Sequence, residues 1–307
     1  MKEIKYLPDP EYDYLEDLEP FSGVNCIVSD IDGTMTSGGN DLYAQINKFN
    51  KTQKIYFTVA TGRTYQGAIR ILRQINIKKR TIIALYNGAI VLRYGTCDVL
   101  MSSYLSDDLI KNLMMRLQMF GLKVFLYSFE VRRLDPFVHG KEFEVIEKVH
   151  GFGGITRDEY DVNHQLIKWI DTVDELPTAN TVSILISSKE LSNKELSTVE
   201  TICEEYESIN VTSSGNGFIE IASKNSNKGN IIPFLKREFN NDEPIVILAA
   251  GDNDNDIELF NSADIRVAVS NASRELLVYT DYLCINKAES GFIDLLNTIA
   301  NAKKYIV

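Results

Sequence analysis

From Val24 onward the chain repeats one pattern: a short apolar run that ends in small or polar residues, followed by a helical stretch. Strands buried on both faces of a parallel sheet read as continuous apolar runs, and a helix joins parallel neighbours, so the pattern predicts βαβ units. The runs are 24–30, 55–61, 82–87 and 245–252, with 265–269 as a fifth, and all are expected in one sheet. A helix is predicted over 64–75, where Ala68, Ile71, Leu72 and Ile75 recur at helical spacing, and another over 257–260. Between about 93 and 210 the texture changes to a helix-like 107–120, a strand-like 123–129, a glycine-rich 151–154, a strand-like 182–187 and a helix-like 194–206. That stretch reads as an α/β insertion. The fold class is therefore α/β, with a parallel-sheet core over 23–92 and 211–307 and an inserted domain over 93–210.

The 307 residues suffice for about two domains, and 44% hydrophobic against 24% charged residues is the balance of a packed globular chain. The longest unbroken apolar stretch, 245–250, is far short of the roughly 18 residues of a membrane span. The opening residues hold no apolar core of signal-peptide length, which places the expectation in the cytoplasm. Cys26, Cys97, Cys203 and Cys284 lie far apart without metal-ligand spacing and read as buried free thiols. A net charge of −11 opposes nucleic acid and anionic membranes as partners and favours a small substrate used with a metal ion. Residues 1–22 carry seven acids (Glu3, Asp9, Glu11, Asp13, Glu16, Asp17, Glu19) and little periodicity, and read as an acidic extension.

In an open parallel sheet, ligands bind outside the carboxyl ends of the strands. Four such ends are rich in chemistry. Asp30-Ile31-Asp32-Gly33-Thr34 delivers two carboxylates one residue apart, which invites a cation. Thr61-Gly62-Arg63 offers a hydroxyl and a glycine amide before a helix, a cradle for phosphate. Ser226-Asn227-Lys228-Gly229 brings a lysine after the strand-like 218–222, with Lys224 in reserve, and Gly251-Asp252-Asn253-Asp254-Asn255-Asp256 brings three more acids. Each has a plainer reading alone: Asp-Gly as a turn, Thr61 as a helix cap, Lys228 as a solvated lysine. A calcium loop beginning at Asp252 is excluded by Ile257 at its sixth place and Ala263 at its twelfth. His139, His150, His164, Arg132, Arg133, Lys141 and Trp169 fall in the insertion without motif spacing, where a surface or packing role is the commoner one.

Taken together and in this order, the four motifs resemble those of the haloacid dehalogenase superfamily of phosphohydrolases, in its Cof-type (subfamily IIB) branch. The likeness continues through Asn87-Gly88-Ala89, Ile219-Glu220-Ile221, residues 267–272 and Glu289-Ser290-Gly291-Phe292. It implies a Rossmann-like core with an α/β cap inserted between the second and third motifs. It also implies roles. Asp30 resembles the nucleophile that forms an aspartyl-phosphate, and Asp32 the general acid and then base. Mg²⁺ would be held by the Asp30 side chain, the Asp32 backbone carbonyl and the Asp252 side chain. Thr61, Gly62 and Asn255 resemble phosphate-positioning groups, Lys228 the cation that steadies the transferring group, and Asp256 its outer support. The implied activity is Mg²⁺-dependent hydrolysis of a small phosphate monoester, a sugar phosphate or phosphorylated cofactor. A phosphosugar mutase and a non-catalytic sugar-phosphate sensor are the alternatives.

Overall fold

The computed structural model describes residues 4–8, 15–36, 41–161, 164–189, 191–215, 217–239 and 244–306. The chain divides into two compact units: Met1–Arg63, Ala68–Gly95 and Asn227–Val307 form the first, Thr64–Gly67 and Thr96–Ser226 the second. In chain order come β1 (Lys5–Tyr6), α1 (Leu15–Ser22), β2 (Cys26–Ser29), α2 (Asp41–Thr52), β3 (Tyr56–Val59), α3 (Tyr65–Gln74), β4 (Ile82–Leu85) and β5 (Ile90–Arg93). The second unit then supplies β6 (Asp98–Ser102), α4 (Asp107–Leu117), β7 (Val124–Arg133), α5 (Pro136–His139), β8 (Phe143–Phe152), β9 (Ile167–Ile170), β10 (Thr181–Ser187), α6 (Asn193–Glu204), β11 (Ile209–Gly215) and β12 (Phe218–Ser223). The first unit is completed by α7 (Ile232–Glu238), β13 (Ile247–Gly251), α8 (Ile257–Ser262), β14 (Ile265–Ala268), α9 (Arg274–Leu277), β15 (Tyr282–Leu283) and α10 (Ala288–Ile306).

The first unit is built on a parallel sheet in the order β1-β15-β14-β13-β2-β3. Every residue of β2 and β13 is buried, as their unbroken apolar sequences require. α10 packs against α1 and α2, and its Phe292, Leu295, Leu296 and Ile299 are buried. One expectation fails. The run at 82–87 does not form a ladder with this sheet: β4 pairs antiparallel with β5, and among the described residues its one backbone bridge to the β3 end is Ala60 to Ala84. The reason lies in two hydroxyls of β3. Ile82 N–H donates to Tyr56 Oη at 2.7 Å and the Thr58 hydroxyl donates to the Ile82 carbonyl, so side chains occupy the backbone groups a ladder would use.

The acidic extension contains structure that its composition hides. β1 adds an edge strand beside β15, and α1 buries Leu18 and Phe21 three residues apart, one face of a single turn against α10. Glu3, Asp9, Glu11 and Asp13 lie outside the described residues.

In the second unit the sheet order is β11-β12-β10-β7-β8-β9, antiparallel except for β8 with β9. Side chains alternate between its faces. Val124, Leu126, Ile184, Ile186 and Ile221 share a core with Leu113 of α4 and Val199 of α6, whereas Phe125 and Tyr127 point to the opposite face. Both helices start on designed caps: Ser106 accepts from Leu109 N–H, and Ser192 with Glu195 forms a capping box. All four cysteines are buried and free, and among the described residues no helix is long and apolar enough to cross a membrane.

Candidate active site

Parallel register brings three strand ends to one level. Ser29 of β2 lies beside Ala250 of β13 and Val59 of β3, Asp30 N–H donates to the Ala250 carbonyl at 2.9 Å, and Ala60 N–H donates to the Ser29 carbonyl at 3.0 Å. Asp30, Thr61 and Asp252 therefore leave the sheet side by side, although more than 200 residues separate the first from the last. The loop after β2 must pass close to Asp252. Gly33 has φ +79°, and a Cβ there would lie 2.1 Å from Asp252 Oδ2, so only glycine fits. Gly88, at φ +83°, allows an equally close approach: a Cβ would stand 1.8 Å from the Asn227 carbonyl oxygen, just before Lys228.

Lys228 is the hub. Its ammonium, 1% exposed, donates to Asp30 Oδ1 at 2.7 Å, Asp256 Oδ1 at 2.7 Å and Asn255 Oδ1 at 3.1 Å, which uses all three donors. Asp256 is fully buried, and its other oxygen accepts from the N–H groups of Asp252 and Asn253 at 3.0 and 3.1 Å, clamping the loop after β13. Asp252 is held by the Thr34 hydroxyl, which donates to Oδ1 at 3.1 Å, and by the Asn271 amide, which donates to Oδ2 at 3.3 Å. Asn255 Nδ2 donates in turn to Asn87 Oδ1 at 3.1 Å, and Asn87 stands against Gly62. A continuous chain of hydrogen bonds thus runs from Asn87 through Asn255 and Lys228 to Asp30.

The electrostatics of this cluster are unbalanced. Carboxylate oxygens of Asp30, Asp252 and Asp256 lie within 4.8 Å of one another, with the Lys228 ammonium as the cation bonded among them. Burial pushes Asp30 up to about 8, against the lowering pull of Lys228 and with Asp256 and Asp252 adding to the rise. Burial and the Asp256 charge push Asp252 up to about 6. At Lys228 burial opposes the charge, but the Asp256 and Asp30 carboxylates outweigh it and hold the ammonium above the ordinary lysine range. Three clustered carboxylates with one ammonium, which bonds two of them, fit a further, divalent cation, and an all-oxygen donor set suits a hard ion such as Mg²⁺.

Asp32 stands apart. Its side chain is 57% exposed and forms a two-pronged pair with Arg63, Nε to Oδ2 at 2.7 Å and Nη2 to Oδ1 at 2.5 Å. Thr61 is buried, its N–H donating to the Ala84 carbonyl and its hydroxyl oxygen accepting from Arg63 N–H at 3.1 Å. Lys224, the reserve lysine, is exposed and belongs to the second unit. Four participants carry no role in the sequence reading beyond motif membership or local support: Arg63, Asn87, Thr34 and Asn271. Asn87 had a signal, since Asn-Gly marks left-handed backbone, and Tyr86, Asn87 and Gly88 all have positive φ.

Residues 27–296 match the haloacid dehalogenase-like hydrolase family. The chain is 37% identical over 86 residues to the phosphoglycolate phosphatase of Sulfurisphaera tokodaii, a match spanning 28% of this chain and 37% of that protein. To YxeH of Bacillus subtilis it is 25% identical over 286 residues, covering 90% of this chain and 98% of that one. Among solved structures, a subclass IIB sugar phosphatase of the haloacid dehalogenase enzyme superfamily superposes with a TM-score of 0.66 at 16% identity, over 91% of this chain and all of its own.

Proposed function

Because the chain belongs to the haloacid dehalogenase-like hydrolase family, we propose that this phosphatase hydrolyses a small soluble phosphate monoester, a sugar phosphate or phosphorylated cofactor, with Mg²⁺ and an aspartyl-phosphate on Asp30. The observation that carries this reading is the convergence of Asp30 and Asp252, at adjacent strand ends, with Lys228, which comes from the helical turn before α7 and not from a strand of the parallel sheet. In it the first unit is the catalytic core and the second the cap that selects the leaving group.

The residues that would hold Mg²⁺ are the Asp30 side chain, the Asp32 backbone carbonyl and the Asp252 side chain. When bound, the ion would screen the anionic nucleophile from the anionic phosphate and draw charge from the transferring oxygens. Lys228 steadies the same charge from the other side, and it fixes one Asp30 oxygen at 2.7 Å, leaving no other hydrogen bond to that carboxylate among the described residues. Thr61, the Gly62 amide and Asn255 position the phosphate oxygens.

The step at Asp30 forms an oxygen–phosphorus bond and breaks the ester oxygen–phosphorus bond. Asp32 gives its proton to the departing alkoxide, which requires its carboxyl to leave Arg63 first. A water then loses a proton to the Asp32 carboxylate and attacks phosphorus, the bond to Asp30 breaks, and inorganic phosphate leaves with the nucleophile restored. The test is hydrolysis of an aryl phosphate with Mg²⁺. Native protein is expected to turn over and Asp30→Asn to lose activity by roughly 10³ or more. Turnover by Asp30→Asn comparable to native would sink the assignment.

A further inference from the structure

The sheet of the second unit carries another polar cluster, and its location follows from register. Leu126 of β7, His150 of β8 and Lys168 of β9 are successive cross-strand neighbours, with Lys148 opposite Ser128 two residues earlier on β8, so all lie on one face. Leu126 belongs to the core under α4 and α6, which identifies the face as the helix-covered one. Beside that core lies a cavity of about 290 Å³, lined by Lys148, His150, Lys168 and Asn180, with Glu130 and Glu175 also on its wall. It has the volume of roughly ten molecules of liquid water.

His150 is 5% exposed, and its Nδ1 is buried without a hydrogen-bond partner among the described residues. Leaving such an atom unpaired costs on the order of 1–3 kcal/mol. The other unpartnered buried side-chain atoms among the described residues, on Asn47, Asn50 and Ser226, belong to residues that do not line this cavity. Lys148 and Lys168 form no ion pair among the described residues, while Glu130 faces Arg132 at 3.7 Å. Burial, then the charges of Lys168 and Lys148, hold the imidazole below the ordinary histidine range, which favours the neutral ring, in which one nitrogen donates.

We propose that this cavity is a binding site for a small oxyanion, a phosphate or carboxylate group taken between Lys148 and Lys168 and hydrogen-bonded by His150. The two ammonium groups supply charge, the imidazole a directed donor, and the Asn180 amide a further one. The site belongs to the second unit and shares no residue with the Asp30 cluster, so it does not rest on the hydrolase reading.

The chain has three histidines, which makes each imidazole separately observable by NMR, with the His150 resonance identified by its loss in His150→Asn. The protein is titrated with inorganic phosphate, with succinate, and with sodium chloride at matched ionic strength. The His150 resonance is expected to move saturably with phosphate or succinate and not with chloride. Phosphate alone marks a phosphate site, and succinate marks a carboxylate site. Lys148→Gln/Lys168→Gln, which alters two exposed side chains and leaves the Asp30 cluster intact, is expected to weaken the apparent Kd by at least about tenfold. No movement, an equal response to chloride, or an unchanged Kd in the double variant would overturn the proposal.

Discussion

In the first unit Lys228 is 1% exposed and all three of its donors are taken by Asp30, Asp256 and Asn255; in the second His150 is 5% exposed and its Nδ1 is paired with nothing among the described residues. Both places gather charged side chains, but in different balance. Around Lys228 the excess is carboxylate, which draws a cation. Around His150 two lysines and two glutamates line the cavity, and the anion site we propose lies between the lysines. The difference teaches how each sheet assembles polar groups. A parallel sheet gathers loops at one end, where they can turn inward and satisfy each other; an antiparallel sheet with period-two alternation fixes each side chain on a face, whether or not a partner waits there.

If the Lys228 network is closed, cutting it should be costly. Lys228→Met leaves two buried carboxylates without their cation, and about 3–5 kcal/mol of unfolding free energy is expected to be lost in urea titrations. Acidification should restore part of that loss by neutralising the carboxylates. A variant as stable as native would show that the cluster is not closed.

Asp32 provides the next contrast, because its exposed carboxylate lies outside the network and pairs with half-buried Arg63. Asp32→Asn is therefore expected to leave stability and Mg²⁺ binding nearly unchanged, since the ligand proposed from this residue is its backbone carbonyl, yet to slow aryl phosphate turnover by roughly 10² or more. Unchanged turnover would remove Asp32 from proton transfer.

The two clusters also differ in how far the sequence announces them. Asp30, Thr61 and Asp252 follow apolar runs closely, so local pattern alone places them at strand ends, whereas Lys228 lies in the helical turn after β12, a strand of the other sheet, and only the order of motifs along the chain links it to them. What local pattern lacks is pairing between distant segments. Thr34 reaches Asp252 across 218 residues, and Asn271 holds both Gly33 and Asp252, contacts set by β2 lying beside β13. β4 left the expected sheet because two hydroxyls on β3 took over the bonding of Ile82, a choice invisible in hydropathy. The edge strand β1 is two residues long, too short to show a period. His150 was one unspaced histidine among several in the insertion. Its neighbours Leu126 and Lys168 come from two other strands, and only the register reveals that all three share a face.

Proton competition sharpens the contrast in charge. Asp252 sits at about 6 in the folded protein against an ordinary 3.8, so the folded state binds its proton more tightly than the unfolded chain does. The sign follows: without metal, this group adds stability as pH falls from about 6 toward 3.8, and the addition fades as pH rises through about 6. Asp30 shifts in the same direction. Mg²⁺ bound as proposed would displace these protons, so its affinity measured by calorimetry is expected to climb as pH rises through about 6, with proton release on binding. A flat profile would mean that the surplus carboxylates do not hold the ion.

The smallest effect is expected where the comparison is most exposed to failure. Replacing His150 by leucine removes the unpaired nitrogen and keeps an apolar side chain beside Leu126, so lost contacts and relieved desolvation offset each other. The unfolding free energy of His150→Leu in phosphate-free buffer is expected to stay within about 1 kcal/mol of native. Added phosphate or succinate should raise the unfolding temperature of native protein through binding to the folded state, and this part of the rise should vanish in the variant. A loss at His150→Leu as large as that at Lys228→Met would mean that the imidazole already has a strong partner, such as a fixed water. The second cluster would then be closed like the first, with no vacancy for an anion to fill.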